Sequence, residues 1–193
     1  MNDQELKTLF RETGAMLGGH FRLSSGLHSD QYFQCALLLC EPRTATLLGG
    51  ALGEAVRREP WKPDVVVSPA LGGVVIGHET ARALGLKALF AERDPDGGLE
   101  LRRGFALKPG QRVLIVEDVV TTGRSTKETL SLVRSFGAEP VGAVSIVLRG
   151  ESEPALGVPF RSLAHWPARA FERHACPLCA EGRTVEKPGS RPG

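Results

Sequence analysis

At 193 residues the chain is long enough for one α/β domain with a sizeable core and short for two. Its 24 basic and 22 acidic residues leave a formal net charge of +2 with no block of like charge, which argues against a broad nucleic-acid footprint and leaves at most a local basic patch. Met1 to Glu5 is polar and acidic rather than signal-like, no apolar run is long enough for a bilayer, and Cys35, Cys40, Cys176 and Cys179 are too sparse for a disulfide scaffold, so a cytoplasmic protein without a membrane partner is expected.

Leu6, Leu9 and Phe10 fall at helical spacing and predict a first helix over Asp3 to Ala15, ended by Gly18 and Gly19. His20 to Phe33 reads as a polar, turn-rich stretch centred on Ser24-Ser25-Gly26. A second helix is predicted over Arg43 to Arg58, with Leu47, Leu48, Ala51, Leu52, Ala55 and Val56 as its apolar face. A strand–helix alternation follows. Strands are expected at Asp64 to Ser68, Lys87 to Ala91, Arg112 to Val116 and Val141 to Leu148, with a further one at Phe160 to His165; helices are expected at Gly73 to Leu84 and Ser125 to Phe136. This order implies a mostly parallel central sheet with helices on both faces. Arg93 to Gly110 interrupts it with Asp94-Pro95-Asp96-Gly97-Gly98, which predicts a hairpin or a mobile lid. Residues 1–186 are expected to form one domain, with a hood segment over 1–40 and a lid over 93–110; the Pro-, Gly- and Ser-rich tail over 187–193 is expected to be disordered.

The chemistry concentrates in Val113 to Thr126. Four apolar residues make a buried strand, Glu117 and Asp118 follow, and a small hydroxyl-rich turn leads into a helix. Ligands of open parallel sheets bind at this end of the strands. Backbone N–H groups at a helix start favour a phosphate, and Thr121, Thr122, Ser125 and Thr126 add hydroxyl donors. Gly123 lets the backbone come close to an anion. Two carboxylates would repel a phosphate but accept hydrogen bonds from ribose hydroxyls or a metal's water shell. Acids and cradle together therefore specify a sugar phosphate. The plain alternative is a capping box, since Ser125 and Glu128 have the S-x-x-E spacing.

This stretch resembles the phosphoribosyl pyrophosphate (PRPP) motif of type I phosphoribosyltransferases. With Phe21 to Ser29, Pro69 to Gly73 and Arg149, the wider sequence resembles the orotate phosphoribosyltransferases of bacteria along nearly its whole length. The resemblance implies a type I phosphoribosyltransferase fold with a small N-terminal hood and a lid hairpin. It implies transfer of the phosphoribosyl group of PRPP to orotate in UMP synthesis, in a homodimer with a shared site. Mg²⁺ is the implied cofactor, held mainly through PRPP and water with no direct protein ligand. By similarity Glu117 and Asp118 hold the ribose hydroxyls, Asp118 with a catalytic role. Thr121, Thr122, Gly123, Arg124 and Ser125 cradle the 5′-phosphate, Val119 and Val120 also bind PRPP, and Thr121 and Arg149 contact orotate. A guanidinium suits the orotate carboxylate, while a surface Arg at a strand end is the alternative.

Leu71-Gly72 stands at the pyrophosphate loop, where many relatives carry Tyr-Lys, so backbone N–H groups must do more there; a plain turn is the alternative. Tyr32 and Phe33 match an aromatic pair that lines the base pocket, against a core role for both. Ser24 replaces a lysine that often contacts PRPP. Arg93 matches a pyrophosphate-binding arginine, but Asp94 follows it where relatives have Lys, and the loop is short. Arg102 or Arg103 is therefore expected to supply the missing catalytic charge, with the neighbouring subunit's site as one destination and a solvated hairpin face as the alternative. A purine acceptor, or a PRPP-sensing regulator without catalysis, remain the competing functions. Cys176-Pro177-Leu178-Cys179 reads first as a surface turn, then as a zinc site short of two ligands, then as a redox pair; Cys35 and Cys40 read as buried apolar residues. His20 and His28 lie in the segment expected near the site, and His78 and His165 on structural elements.

Overall fold

The computed structural model describes residues 1–23 and 26–188. The expectations for Ser24 and Ser25, and for most of the tail, lie outside the described residues. The first helix, α1 (Asp3–Glu12), opens with a capping box: Asn2 Oδ1 accepts from the Glu5 N–H at 2.9 Å and Glu5 Oε2 accepts from the Asn2 N–H at 2.8 Å. It ends before the predicted Ala15. Gly14 takes φ 66°, Ala15 N–H reaches back to the Phe10 carbonyl and Gly14 N–H to that of Arg11, which closes the helix in a Schellman turn. Gly18 and Gly19, expected to stop the helix, lie instead inside strand β1 (Met16–Arg22). That strand pairs antiparallel with β2 (His28–Phe33), so the stretch expected to be turn-rich is a hairpin.

Helix α2 (Cys35–Leu39) and helix α3 (Pro42–Arg57) follow. Leu48, Leu52 and Val56 of α3 are buried as expected, but Leu47 is exposed. Cys35 is buried, whereas Cys40 is exposed just past the end of α2, contrary to expectation. The core then alternates β3 (Val65–Pro69), α4 (Gly72–Leu84), β4 (Lys87–Arg93), β5 (Leu99–Leu101), β6 (Arg112–Val120), α5 (Arg124–Ser135), β7 (Glu139–Leu148) and β8 (Phe160–His165). The strands lie in the order β5-β4-β3-β6-β7-β8, all parallel except β5, which runs antiparallel to β4. A short β9 (Ala170–Phe171) joins the edge of β2 and completes a three-stranded hood. The C-terminal segment adds α6 (Pro177–Ala180).

Period-two alternation divides the core into two faces. Val66, Leu114 and Val116 point towards α3 and α4, where they pack with Leu48, Leu52 and Ile76. Val65, Val67, Val113 and Ile115 point the other way, to Leu130 and Val133 of α5. Helices therefore cover both faces of the sheet, as the alternation implied. The hood is anchored by aromatic contacts: Phe10 meets Phe33 and Trp166 edge-on, with centroids 5.8 and 5.0 Å apart. The segment after Arg93 forms the predicted hairpin, its turn closed by Gly98 N–H donating to Asp94 Oδ1 at 2.7 Å. No described helix is long and apolar enough to cross a membrane.

Candidate active site

The carboxyl ends of β4, β6 and β7, the amino end of α5 and the inner face of the hood enclose a cleft of about 480 Å³. Strand β6 runs four residues beyond the predicted Val116, so the two acids lie within it rather than past its end. Strand alternation sends them to opposite sides. Glu117 is only 4% exposed, and its Oε1 accepts from Ser125 Oγ at 2.7 Å and Thr126 Oγ1 at 2.9 Å. Burial and then the Asp118 charge push its carboxyl up to about 8, against the pull of those hydroxyls. Asp118 is half-buried, and burial raises its pKa too; the N–H groups of Val119 and of Asp118 itself oppose that rise.

Ser125 is thus bound to Glu117 and does not cap the helix. Gly123 is the N-cap residue of α5 and has no side chain to offer. Its φ of 72° favours glycine, and a Cβ there would stand 2.9 Å from Leu156 and 3.0 Å from Pro154. Lys127 N–H makes the bond to the Gly123 carbonyl, so the N–H groups of Arg124, Ser125 and Thr126 have no intrahelical acceptor. Thr121, Thr122, Val119 and Val120 line the same cleft. Gly72 starts α4 across from Asp118; a Cβ on it would lie 2.6 Å from Asp118 Oδ2, so a larger residue here would displace that carboxylate. Leu71 beside it is 73% exposed.

Arg149 follows β7 and is 3% exposed, which removes the surface reading. Its Nη2 donates to Ser29 Oγ at 2.5 Å and to the Gln31 carbonyl at 2.9 Å. Its Nε is buried without an acceptor among the described residues. Burial lowers its pKa, opposed by the charges of Asp30 and Tyr32. Tyr32 lines the cleft, and burial followed by the Asp118 charge raises its phenol. Phe33 touches the cleft but belongs to the core. Arg93 reaches the cleft from the end of β4, where Glu128 Oε2 holds its Nη2 at 2.5 Å and the Gly97 carbonyl its Nη1 at 2.6 Å.

Arg102 and Arg103 are not brought into this cleft. Arg102 pairs with Glu100 at 3.0 Å, and Arg103 pairs with Glu92 at 2.7 Å while stacking on Phe90. Sequence reasoning missed Ser29, Gln31 and Glu128, the groups that hold Arg149 and Arg93, and read Thr126 as a phosphate donor, whereas its hydroxyl donates to Glu117. Only Glu128 carried a local signal, as the fourth residue of the S-x-x-E pattern, and it serves two arginines instead, taking Arg124 Nε at 2.9 Å as well.

The Phosphoribosyl transferase domain family model matches residues 40–163. An orotate phosphoribosyltransferase of Carboxydothermus hydrogenoformans is 49% identical over 187 residues, covering 97% of each chain. One of Erythrobacter litoralis is 49% identical over 192 residues, covering 99% of each. The crystal structure of orotate phosphoribosyltransferase from Aeropyrum pernix superposes with a TM-score of 0.71 at 27% identity, covering 83% of this chain and 93% of that one.

Proposed function

We propose that this chain, which belongs to the phosphoribosyl transferase family and to its orotate branch, moves the 5-phosphoribosyl group of PRPP onto orotate, giving orotidine 5′-monophosphate and pyrophosphate for UMP synthesis. One observation carries the choice of acceptor. The buried guanidinium of Arg149, short of an acceptor at Nε, opens on the same cleft as Glu117, Asp118 and the amino end of α5. A cation in that position asks for an anionic base, and orotate brings a carboxylate.

The unpaired N–H groups of Arg124 and Ser125, with the Thr121 and Thr122 hydroxyls, take the 5′-phosphate. Glu117 and Asp118 take the ribose hydroxyls, and Leu71, Gly72 and Arg93 face the pyrophosphate. Tyr32, Phe33 and Thr121 border the base. Mg²⁺ fits this donor set: the Asp118 carboxylate has no cation paired with it among the described residues, and it would hold a hydrated ion through that ion's water. When bound, the ion offsets charge on the leaving pyrophosphate. The cradle holds the sugar so that the orotate nitrogen meets C1 in line as oxocarbenium character develops. Among the described residues no side chain in the cleft is placed as a general base. Arg102 and Arg103, exposed on the β4–β5 hairpin, supply charge to the neighbouring subunit's site in a homodimer. The reaction belongs in the cytoplasm, and neither nucleic acid nor membrane takes part.

Turnover of PRPP is expected with orotate and not with adenine or xanthine. Turnover with a purine in place of orotate would overturn the assignment. So would PRPP binding without pyrophosphate release, the behaviour of a regulator.

A further inference from the structure

A second cavity, which shares Leu23, Tyr32, Arg93 and Ser125 with the substrate cleft, borders a cluster that the transfer reaction does not use. His20 on β1, His28 on β2, and Cys176 and Cys179 at the start of α6 turn one ligand atom each towards a common point, all within 4.8 Å of one another. His20 Nε2 lies 2.9 Å from His28 Nδ1, 3.5 Å from Cys176 Sγ and 3.7 Å from Cys179 Sγ, and Cys179 Sγ lies 3.3 Å from His28 Nδ1. The C-x-x-C is therefore not a surface turn, since Cys176 is 3% exposed. The missing pair of ligands comes from the hood; His174, the nearby histidine in sequence, is exposed and outside the cluster.

We propose that these four residues form a structural zinc site that fastens the C-terminal segment to the hood. Zinc bonds of about 2.3 Å to sulfur and 2.0–2.1 Å to nitrogen, set tetrahedrally, put S and N about 3.6 Å apart. The distances above bracket that value. The hydrogen bonding agrees: His20 Nδ1 lies 2.9 Å from the Arg183 carbonyl, and donating to it leaves the Nε2 lone pair directed at the cluster. Charge agrees as well. Two thiolates and two neutral imidazoles around Zn²⁺ sum to zero, which suits a buried site, and binding releases the two thiol protons. A redox pair fits less well, because Cys176 is buried and two imidazoles stand within 3.7 Å of the sulfurs. Sulfur and imidazole in a tetrahedron favour zinc over the oxygen-seeking cations.

The staple has a consequence for the substrate site. His28 is followed directly by Ser29, whose hydroxyl accepts from Arg149 and donates to the Arg169 carbonyl at 2.6 Å. A metal on His28 would fix both ends of that relay, since β2 and the segment holding Cys176 and Cys179 are joined through it. The site is distinct from any ion carried by PRPP.

Untagged protein, purified without added metal or chelator, should contain about one zinc per chain by elemental analysis. Cys176→Ser, Cys179→Ser and His20→Ala should lose it; Cys35→Ser and Cys40→Ser should keep it. Replacement by Co²⁺ in the wild type should give the intense visible bands of a tetrahedral ion with a thiolate charge-transfer band, a readout that stands even if a variant fails to fold. Zinc-free protein, iron in place of zinc, a cobalt spectrum without thiolate character, or a Cys176–Cys179 disulfide in the purified protein would each overturn the proposal.

Discussion

Arg149 Nη2 donates to Ser29 Oγ at 2.5 Å, joining the end of β7 to the hood strand β2. The Ser29 hydroxyl can accept this bond because its own hydrogen goes to the Arg169 carbonyl. Ser29→Ala removes these two contacts, and the bond its hydroxyl accepts from the Gln31 N–H at 3.3 Å, inside a buried region. Losing a hydrogen bond to a charged group costs ~1.5–3 kcal/mol. The guanidinium stays, less well aimed, so the KM for orotate should rise roughly tenfold with kcat and the KM for PRPP little changed, as read in steady-state kinetics.

Glu117 makes the stability of the free protein depend on pH. Its carboxyl is raised from an ordinary value of 4.5 to about 8, so its proton is held more tightly in the folded than in the unfolded chain. That contribution is fully present below about pH 4.5 and is lost as pH rises through about 8. Thermal unfolding should show the midpoint falling over this window, and Glu117→Gln should flatten the fall. An equal fall in wild type and variant would remove Glu117 as its cause.

Gly123→Ala meets two obstacles at once, a φ of 72° and the approach of Leu156 and Pro154. A loss of ~1 kcal/mol or more is expected from the backbone alone. Because the same residue starts the phosphate cradle, the KM for PRPP should rise more than that for orotate. Denaturant unfolding and kinetics on the same preparation check the two parts.

The parts of this molecule that sequence revealed are the ones governed by local rules. Val113 to Ser125 was readable because strand, acids, glycine and helix start follow one another along the chain, and α4 and α5 because their apolar periods are regular. The hood was not. His20, His28 and Ser29 give β1 and β2 no apolar alternation, because these strands bury polar side chains that serve Arg149 and the histidine–cysteine cluster. Gly14 stops α1 by its left-handed turn, while the more conspicuous Gly18-Gly19 pair sits in a strand. The histidines that meet Cys176 and Cys179 lie about 150 residues away, beyond the reach of any spacing rule. Likewise nothing local indicates that Arg103 rests on Glu92.

The lid arginines test the shared-site proposal. Arg102→Ala and Arg103→Ala should lower kcat without destabilising the fold, since both side chains are exposed. If the charge serves the partner's site, mixing Arg103→Ala subunits with Arg149→Ala subunits should restore activity that neither variant has alone. Full turnover in both single variants would remove these residues from the reaction.

The most direct test of the orotate assignment is a spectrophotometric assay of orotate consumption with PRPP and Mg²⁺, comparing wild type with Arg149→Ala. The variant should lose at least about tenfold in orotate affinity, or ~1.4 kcal/mol, while PRPP binding measured separately is retained. An unchanged KM for orotate in a folded Arg149→Ala protein would contradict the account.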